Sequence, residues 1–321
     1  NYGLYIMTIV AGATMAHSLV PPTPGPLFVA EQLNVSLGLM IVMGLIVGSL
    51  ACWVGYIYAN WINSKSKWHV PLRDSPDSPL AKLEKISYHQ DKALPNFILA
   101  LLPVMLPILL IGGNTILQKV INAHPSSLAN ILSVVGDKNI ALIISAIVAL
   151  GLLILQKRGD KKELFDSVQS ALASGGLVIL ITAAGASFGS VLQQTNIADR
   201  IGSLSVEFNI SGLFFLPMAF FVTAIVRTAQ GSATVSMITS VGIFASMAEG
   251  LPFHPVYLAL AIGCGSKPFP WMNDSGFWVI NRMSGMTIRE SIRSVSILMT
   301  VMAISGLFMT IFLAWVFPKA F

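Results

Sequence analysis

The chain has 321 residues, of which 55% are hydrophobic and only 10% are charged, against roughly 25% charged residues in an ordinary soluble domain. That composition excludes a soluble fold, a disordered chain and a disulfide scaffold, and it predicts an integral membrane protein. The net charge of +5 is typical of a membrane protein with basic cytoplasmic loops, so we expect no nucleic-acid partner. Because the sequence begins at Asn1 inside an apolar segment, we expect an N-terminal part to precede it.

Long uncharged runs supply the predicted membrane helices. A helix needs about 20 mostly apolar residues to cross the bilayer. The runs that approach this length are 32–64, 93–118, 139–156, 167–198, 208–226, 228–248, 250–266 and 294–318. Since no segment shows the ten-residue alternation of a transmembrane barrel, the fold class predicted is an all-α polytopic membrane protein.

The charged residues predict the orientation of the chain. They cluster in 63–93 and 157–166, and the two predicted spans 94–118 and 139–156 separate these clusters. Both clusters therefore lie on one side of the membrane, and their lysine and arginine content predicts that this side is cytoplasmic. The same side is predicted for the basic residues before the last span, which are Arg282, Arg289 and Arg293.

The run 167–198 is too long for one upright helix and is rich in small residues. It is either a single tilted helix or a re-entrant hairpin. Gly185-Ala-Ser187-Phe-Gly189 matches the G-x-S-x-G pattern of a hydrolase nucleophile. That pattern requires a preceding strand and a catalytic triad. Since neither is evident, the sequence disfavours a membrane-embedded hydrolase.

A second unusual element is Ile225-Val-Arg227-Thr-Ala-Gln-Gly-Ser-Ala-Thr-Val235, which lies between two apolar runs. An arginine at membrane depth is energetically expensive and marks a functional site by default. The glycine and short polar residues that follow favour a broken helix that lines a polar cavity. The alternative is that Arg227 extends to the membrane surface and the next helix begins beyond it.

The third element, 263–278, contains two prolines together with Lys267, Asn273 and Asp274 in an apolar setting. It is either a solvated loop or an ordered, partly buried turn, and the prolines and flanking aromatic residues favour the turn. A similar element lies at 16–26. The two align without a gap at an offset of 251 residues, which predicts an internal repeat with the substrate site at the repeat interface.

These residues resemble the gluconate permease family of gluconate:H⁺ symporters. The resemblance is carried, in order, by His17-Ser-Leu-Val-Pro-Pro-Thr-Pro-Gly-Pro26, Leu94-Pro-Asn-Phe-Ile-Leu-Ala-Leu-Leu-Pro103, Val135-Gly-Asp137, Arg227-Thr-Ala-Gln-Gly-Ser-Ala-Thr-Val235 and Asn273-Asp-Ser-Gly-Phe-Trp278. It implies proton-coupled uptake of gluconate or a related sugar acid across the bacterial inner membrane, and no enzymatic activity. It also implies a transporter with inverted repeats, re-entrant hairpins and broken helices, which is usually a homodimer.

The chain departs from that family at one point. Family members usually have an apolar residue and a Ser-His pair before the Asn-Asp, whereas this chain has Lys267-Pro-Phe-Pro-Trp-Met272. A lysine there favours a more strongly anionic or differently shaped acid. The alternative is a charge at the edge of a loop.

A carboxylate substrate requires a cation and oriented N–H or hydroxyl donors, and Arg227 can form a two-pronged hydrogen bond with it. The residues after it can bind sugar hydroxyls and present a helix N-terminus. The full predicted substrate site is Arg227, Gln230, Gly231, Ser232, Thr234, Asn273, Ser275, Thr23, Ser187 and Lys267. For the proton we expect Asp274, with His17 as the second candidate. The alternative for His17 is a structural histidine held by hydrogen bonds.

We expect four regions: the end of the first repeat (1–62), a cytoplasmic loop (63–93), two connecting spans with a basic loop (94–166) and the second repeat (167–321). The expected partners are a small anionic sugar acid, a proton, the lipid bilayer and a second copy of the chain, without a cofactor or metal. Alternative functions are a sodium-coupled carboxylate carrier, a membrane-embedded hydrolase or a channel.

Overall fold

The computed structural model describes residues 2–64, 96–121, 134–157, 161–194 and 212–319. These residues form twelve α-helices and no strand. The helices are α1 (Tyr2–Leu19), α2 (Pro24–Gln32), α3 (Leu37–Ser64), α4 (Phe97–Ile121), α5 (Lys138–Gln156), α6 (Lys161–Gln194), α7 (Phe215–Gln230), α8 (Ala233–Phe244), α9 (Pro255–Gly265), α10 (Ser275–Ser284), α11 (Ile288–Ser291) and α12 (Ile297–Val316). Short 3₁₀ turns lie at Gly212–Phe214 and Ala245–Gly250, and a π-type turn lies at Ile292–Ser296.

Six stretches within the described residues are long and apolar enough to cross a membrane. They are Tyr2–Gln32, Leu37–Ser64, Phe97–Asn114, Lys138–Gln156, Gly212–Gln230 and Ile288–Val316. This confirms the all-α polytopic fold class. The orientation stays a prediction, because most of the basic cluster 63–93 lies outside the described residues.

The re-entrant hairpin considered for 167–198 is wrong. Lys161–Gln194 is one continuous helix of 34 residues. It contains no proline, so every residue keeps its backbone N–H, and each glycine lowers helix stability by only about 1 kcal/mol. Ser187 donates to the carbonyl of Ala183 one turn earlier, and this helical setting excludes the nucleophile elbow. The predicted loop 157–166 is also shorter than expected, because α6 already begins at Lys161.

Helix α9 forms the centre of the bundle. Every residue from Val256 to Gly265 is buried, as expected of a helix that is apolar on all sides. It packs against α1, α2, α3, α7, α8 and α12. Small residues permit this crowding: a Cβ atom at Gly263 would lie 2.6 Å from the carbonyl oxygen of Ser18 in α1. The backbones of α1 and α9 therefore lie in direct contact.

Three interruptions divide the helices near this centre, and each has a local chemical cause. Between α1 and α2 the chain passes through a cis Pro21–Pro22 bond. Helix α7 ends at Gly231, whose φ of 76° is the left-handed conformation typical of a helix C-terminus. Between α9 and α10 the segment 266–274 contains Pro268 and Pro270, which cannot continue a hydrogen-bonded helix. The broken helix predicted after Arg227 is confirmed.

Helix boundaries recur at the offset expected from the internal repeat. Helix α2 begins at Pro24 and α10 at Ser275, and α3 begins at Leu37 and α11 at Ile288. Both spacings equal the sequence offset of 251 residues. The inverted orientation of the two copies and the four region boundaries stay predictions.

Candidate functional site

A cavity of about 540 Å³ lies where α1, the α7–α8 interruption, the segment 266–274 and the start of α10 meet. Its wall includes many of the polar residues that the sequence identified. The predicted site residues that line the cavity are His17, Arg227, Gly231, Ser232, Thr234, Lys267, Asp274 and Ser275. The structure thus brings together residues from α1, α7, α8 and α10 that lie far apart in the chain.

Arg227 is paired inside the protein. It is 3% exposed, so the alternative in which it extends to the membrane surface is wrong. Its Nη2 forms an ion pair with Oδ2 of Asp274. Its Nε donates to the carbonyl oxygen of Ser266 at 2.9 Å. Two edges of the guanidinium are therefore occupied before any substrate binds.

Asp274 has a structural role in addition to this ion pair. It is 6% exposed and is the N-cap of α10. Its Oδ1 accepts a hydrogen bond from the backbone N–H of Phe277 at 3.1 Å. Since both carboxylate oxygens are engaged, Asp274 fixes the position of Arg227 and the start of α10 simultaneously. Its predicted role in proton transfer stays a prediction.

Lys267 contrasts with Arg227. It is 2% exposed and lines the cavity, so the alternative of a charge at a loop edge is wrong. Its backbone N–H donates to the carbonyl of Cys264 at 3.1 Å. Its ammonium group, however, makes no ion pair or hydrogen bond with any residue that the structure describes. An amine without a partner among the described residues thus belongs to a largely buried side chain that lines the cavity.

Two helix N-termini point at the same cavity. Ser232 caps α8, and its Oγ accepts from the N–H of Val235 at 3.3 Å. Asp274 caps α10 in the same way. The partial positive charge of a helix N-terminus favours anions. The residues of these first turns that line the cavity are Ala233, Thr234, Ser275, Gly276 and Phe277.

His17 lies on the α1 wall of the cavity with an exposed side chain. Its imidazole makes no hydrogen bond to another residue in the described part of the chain. The alternative of a hydrogen-bonded structural histidine therefore gains no support from its contacts. Its predicted role as a proton carrier stays a prediction.

Four predicted site residues lie outside the cavity wall. Asn273 donates to the carbonyl oxygens of Thr228 at 2.8 Å and Ala229 at 3.3 Å, so its side chain caps the C-terminus of α7. Thr23 donates to the carbonyl of Val20 at 2.7 Å. The other two are Gln230, which is exposed, and Ser187, which lies on α6. Their predicted roles in substrate binding stay predictions.

Part of the cavity wall is formed by residues that the sequence analysis does not predict. Thr14 lies three residues before His17 on the same face of α1 and also lines the cavity. That spacing was a signal that could have found it. Val295 and Met299 contribute apolar surface from the π-type turn and the start of α12. A π-type turn has no reliable sequence signal.

These features define a class of protein. Interrupted helices at membrane depth, buried charges and a polar cavity between them are characteristic of secondary transporters. The family model of the GntP family permease matches residues 4–316. The chain therefore belongs to the GntP family of permeases, which are transporters and not enzymes.

Curated relatives cover nearly the whole chain. It is 28% identical over 309 residues to the gluconate permease of Zymomonas mobilis, covering 94% of this chain and 65% of the relative. It is 29% identical over 306 residues to the inner membrane permease YgbN of Escherichia coli, covering 94% and 66%. It is 29% identical over 314 residues to the gluconate permease of Pseudomonas aeruginosa, covering 96% and 66%. The chain thus spans about two thirds of the length of these relatives.

Proposed function

We propose that the chain forms the substrate-binding part of a proton-coupled permease, which takes up gluconate or a related sugar acid across the bacterial inner membrane. Membership of the GntP family supports transport. The names of the Zymomonas and Pseudomonas relatives support gluconate as the substrate, and the name of the Escherichia coli relative supports the inner membrane as the location.

The unpaired amine of Lys267 is the observation that carries the choice of an anionic substrate. An ammonium group in a cavity sheltered from bulk water is stabilised by an anion that binds beside it, because opposite charges attract more strongly where the dielectric is low. A carboxylate that enters the cavity supplies the acceptor that Lys267 lacks among the described residues. Arg227 does not compete for this role in the empty site, because Asp274 and Ser266 already occupy it.

The rest of a sugar acid is a chain of hydroxyl groups, and the cavity offers partners for them. The hydroxyls of Ser232, Thr234 and Ser275 line the cavity beside the N-termini of α8 and α10. The apolar side chains of Val295 and Met299 can pack against the carbon backbone. This division between a carboxylate end and a hydroxyl-bearing chain fits a polyhydroxy monocarboxylate.

Proton coupling and assembly as a homodimer are also part of the proposed function. A proton that moves with each carboxylate leaves no net charge to cross the membrane, which supports a symporter for an organic anion. The predicted proton carriers Asp274 and His17 both line the cavity. The homodimer is supported by the family resemblance alone, and mass measurement of the purified protein in detergent tests it.

Uptake of labelled gluconate by the full-length protein in proteoliposomes tests the proposal. We expect accumulation with an inward proton gradient, loss of accumulation with a protonophore, and no accumulation with a sodium gradient alone. Arg227→Ala should abolish uptake when equal amounts of reconstituted protein are compared. Accumulation driven by sodium and insensitive to the protonophore would support a sodium-coupled carrier instead.

A further inference from the structure

We propose that Lys267 carries the proton that is transported with the substrate. Its amine is neutral in the empty cavity and takes up one proton when a carboxylate binds beside it. The inference rests on the proposed function and identifies the coupling group of the same site. It differs from the sequence-based assignment of the proton to Asp274 or His17.

The contacts of Asp274 disfavour that residue as the proton carrier. Its Oδ2 is paired with Arg227 and its Oδ1 accepts from the N–H of Phe277. Both contacts are made with the ionised carboxylate. Protonation of Asp274 would weaken the cap of α10 and leave the buried guanidinium of Arg227 without its counter-charge. Proton transport through Asp274 would therefore disrupt both of these contacts in every transport cycle.

Lys267 differs from Asp274 because its titratable group has no partner among the described residues. The titratable groups on the same cavity wall are His17 from α1, Arg227 from α7 and Asp274, which Arg227 already holds, and Cys264 lies near the end of α9. Helices α3, α8 and α12, which also pack against α9, contain no acidic or basic residue, and Glu31 of the remaining neighbour α2 pairs with Lys138. No described residue forms a hydrogen bond or ion pair with the ammonium, and the carboxylate on the same cavity wall is already held by Arg227. Since an arginine does not lose its proton in proteins, Lys267 is the cation that can become neutral.

The charge balance of the cavity supports the same assignment. In the empty cavity, Arg227 and Asp274 cancel and a neutral Lys267 adds no charge. In the loaded cavity, a protonated Lys267 and the substrate carboxylate cancel as a second pair. Neither state places a lone charge at membrane depth, where it is expensive.

The proposed step balances in atoms and charge. On the outer side, the lone pair of Nζ forms an N–H bond with a proton from hydronium, which becomes water, as the carboxylate binds. On the cytoplasmic side, that N–H bond breaks, and the proton leaves to water with the carboxylate. One proton therefore accompanies one carboxylate, and no other co-reactant is required.

Calorimetric titration of gluconate into the full-length protein in nanodiscs tests the assignment. Titrations in two buffers with different ionisation enthalpies give the number of protons taken up. We expect the wild type to take up one proton per gluconate at about pH 8. Over the pH interval in which this proton is taken up, its affinity for gluconate should fall about tenfold per pH unit. We expect Lys267→Arg to bind gluconate without proton uptake and independently of pH, because a guanidinium stays protonated.

Lys138→Arg is the matched control. Lys138 pairs with Glu31 at 2.8 Å at a partly exposed position outside the cavity. This control should take up the same number of protons as the wild type. Lys267→Gln is the second variant, because glutamine is neutral at every pH and smaller than arginine. Its size-exclusion profile should match the wild type, and its proton-linked gluconate binding should be lost.

Proton uptake by Lys267→Arg or Lys267→Gln equal to that of the wild type would overturn the inference. Gluconate binding by the wild type without any proton uptake between about pH 6 and pH 9 would also overturn it, while leaving the proposed anion site intact. Failure of the wild type to bind gluconate at all would contradict the proposed function, and the inference with it.

Discussion

Arg227 and Asp274 are 47 residues apart in the chain and form a buried ion pair between two interrupted helices. Arg227 lies at the end of α7 and Asp274 begins α10. The pair therefore holds the α7–α8 interruption against the segment 266–274. Gly231 reinforces this junction, because it packs directly on the backbone of Asn273. The geometry of the cavity depends on these two contacts.

Removal of Arg227 should destabilise the protein as well as abolish binding. Arg227→Ala leaves the Asp274 carboxylate buried without a partner, and breaking such a pair costs about 3–5 kcal/mol. We expect a lower melting temperature in detergent and no gluconate binding. The double variant Arg227→Ala with Asp274→Asn removes both charges and keeps a residue that can cap α10. It should recover most of the melting temperature without recovering binding. A double variant no more stable than Arg227→Ala would argue against the ion pair.

Gly231→Ala should damage the junction between the two interruptions. Its φ of 76° is strained for any residue with a side chain, and its Cβ would lie 2.3 Å from the carbonyl oxygen of Asn273. Gly285→Ala is a matched control, because Gly285 has a φ of 64° but nothing within 4 Å of its Cβ position. The control should lose only about 1–2 kcal/mol of stability, because alanine is strained in the left-handed conformation. Gly231→Ala should lower the melting temperature further and weaken gluconate binding. Equal losses in the two variants would contradict the close contact.

Ser18 and Ser266 should be energetically coupled. Their Oγ atoms lie 2.9 Å apart between the ends of α1 and α9. Because Ser266 Oγ donates to the carbonyl of Gly263 at 2.7 Å, Ser18 is the donor to Ser266. A buried hydrogen bond of this kind contributes about 0.5–1.5 kcal/mol. The stability losses of Ser18→Ala and Ser266→Ala, measured by thermal unfolding, should therefore not add up in the double variant. Strictly additive losses would mean that the two hydroxyls do not interact.

The charge balance of the cavity predicts a preference for monocarboxylates. A second carboxylate on the substrate would find Arg227 occupied by Asp274 and Ser266. An unpaired buried polar group costs about 1–3 kcal/mol. We therefore expect glucarate, with two carboxylates, to compete with labelled gluconate at least about tenfold more weakly than unlabelled gluconate does. Glucarate that competes as well as gluconate would mean that the site accepts a second anion.

Local chemistry explains why the interruptions were predictable from the sequence. Gly231 and the prolines at 268 and 270 break helices through their own backbones, so the prediction did not depend on packing. The long uncharged runs predicted the spans for a similar reason. Small residues in 167–198 were ambiguous, because they fit a continuous helix as well as a hairpin, and the structure shows the continuous helix α6.

Long-range packing explains what the sequence did not reveal. The pairing of Arg227 with Asp274 depends on how α7 and α10 meet, and no spacing in the chain encodes it. The burial of Lys267 likewise depends on α9 at the centre of the bundle. The amide of Asn273 caps the end of α7, a contact that no sequence spacing indicates, and its predicted role as a sugar ligand stays a prediction.

The proposed function requires Lys267 to bind the carboxylate of a sugar acid. Equilibrium binding of labelled gluconate to the wild type, to Lys267→Met and to the control Lys138→Met, at a partly exposed position outside the cavity, tests this requirement. Because loss of one member of a buried charge pair costs about 2–5 kcal/mol, we expect Lys267→Met to bind at least about 30-fold more weakly. Its melting temperature should not fall, and the control should bind like the wild type. Gluconate binding by a folded Lys267→Met protein with the affinity of the wild type would contradict the account.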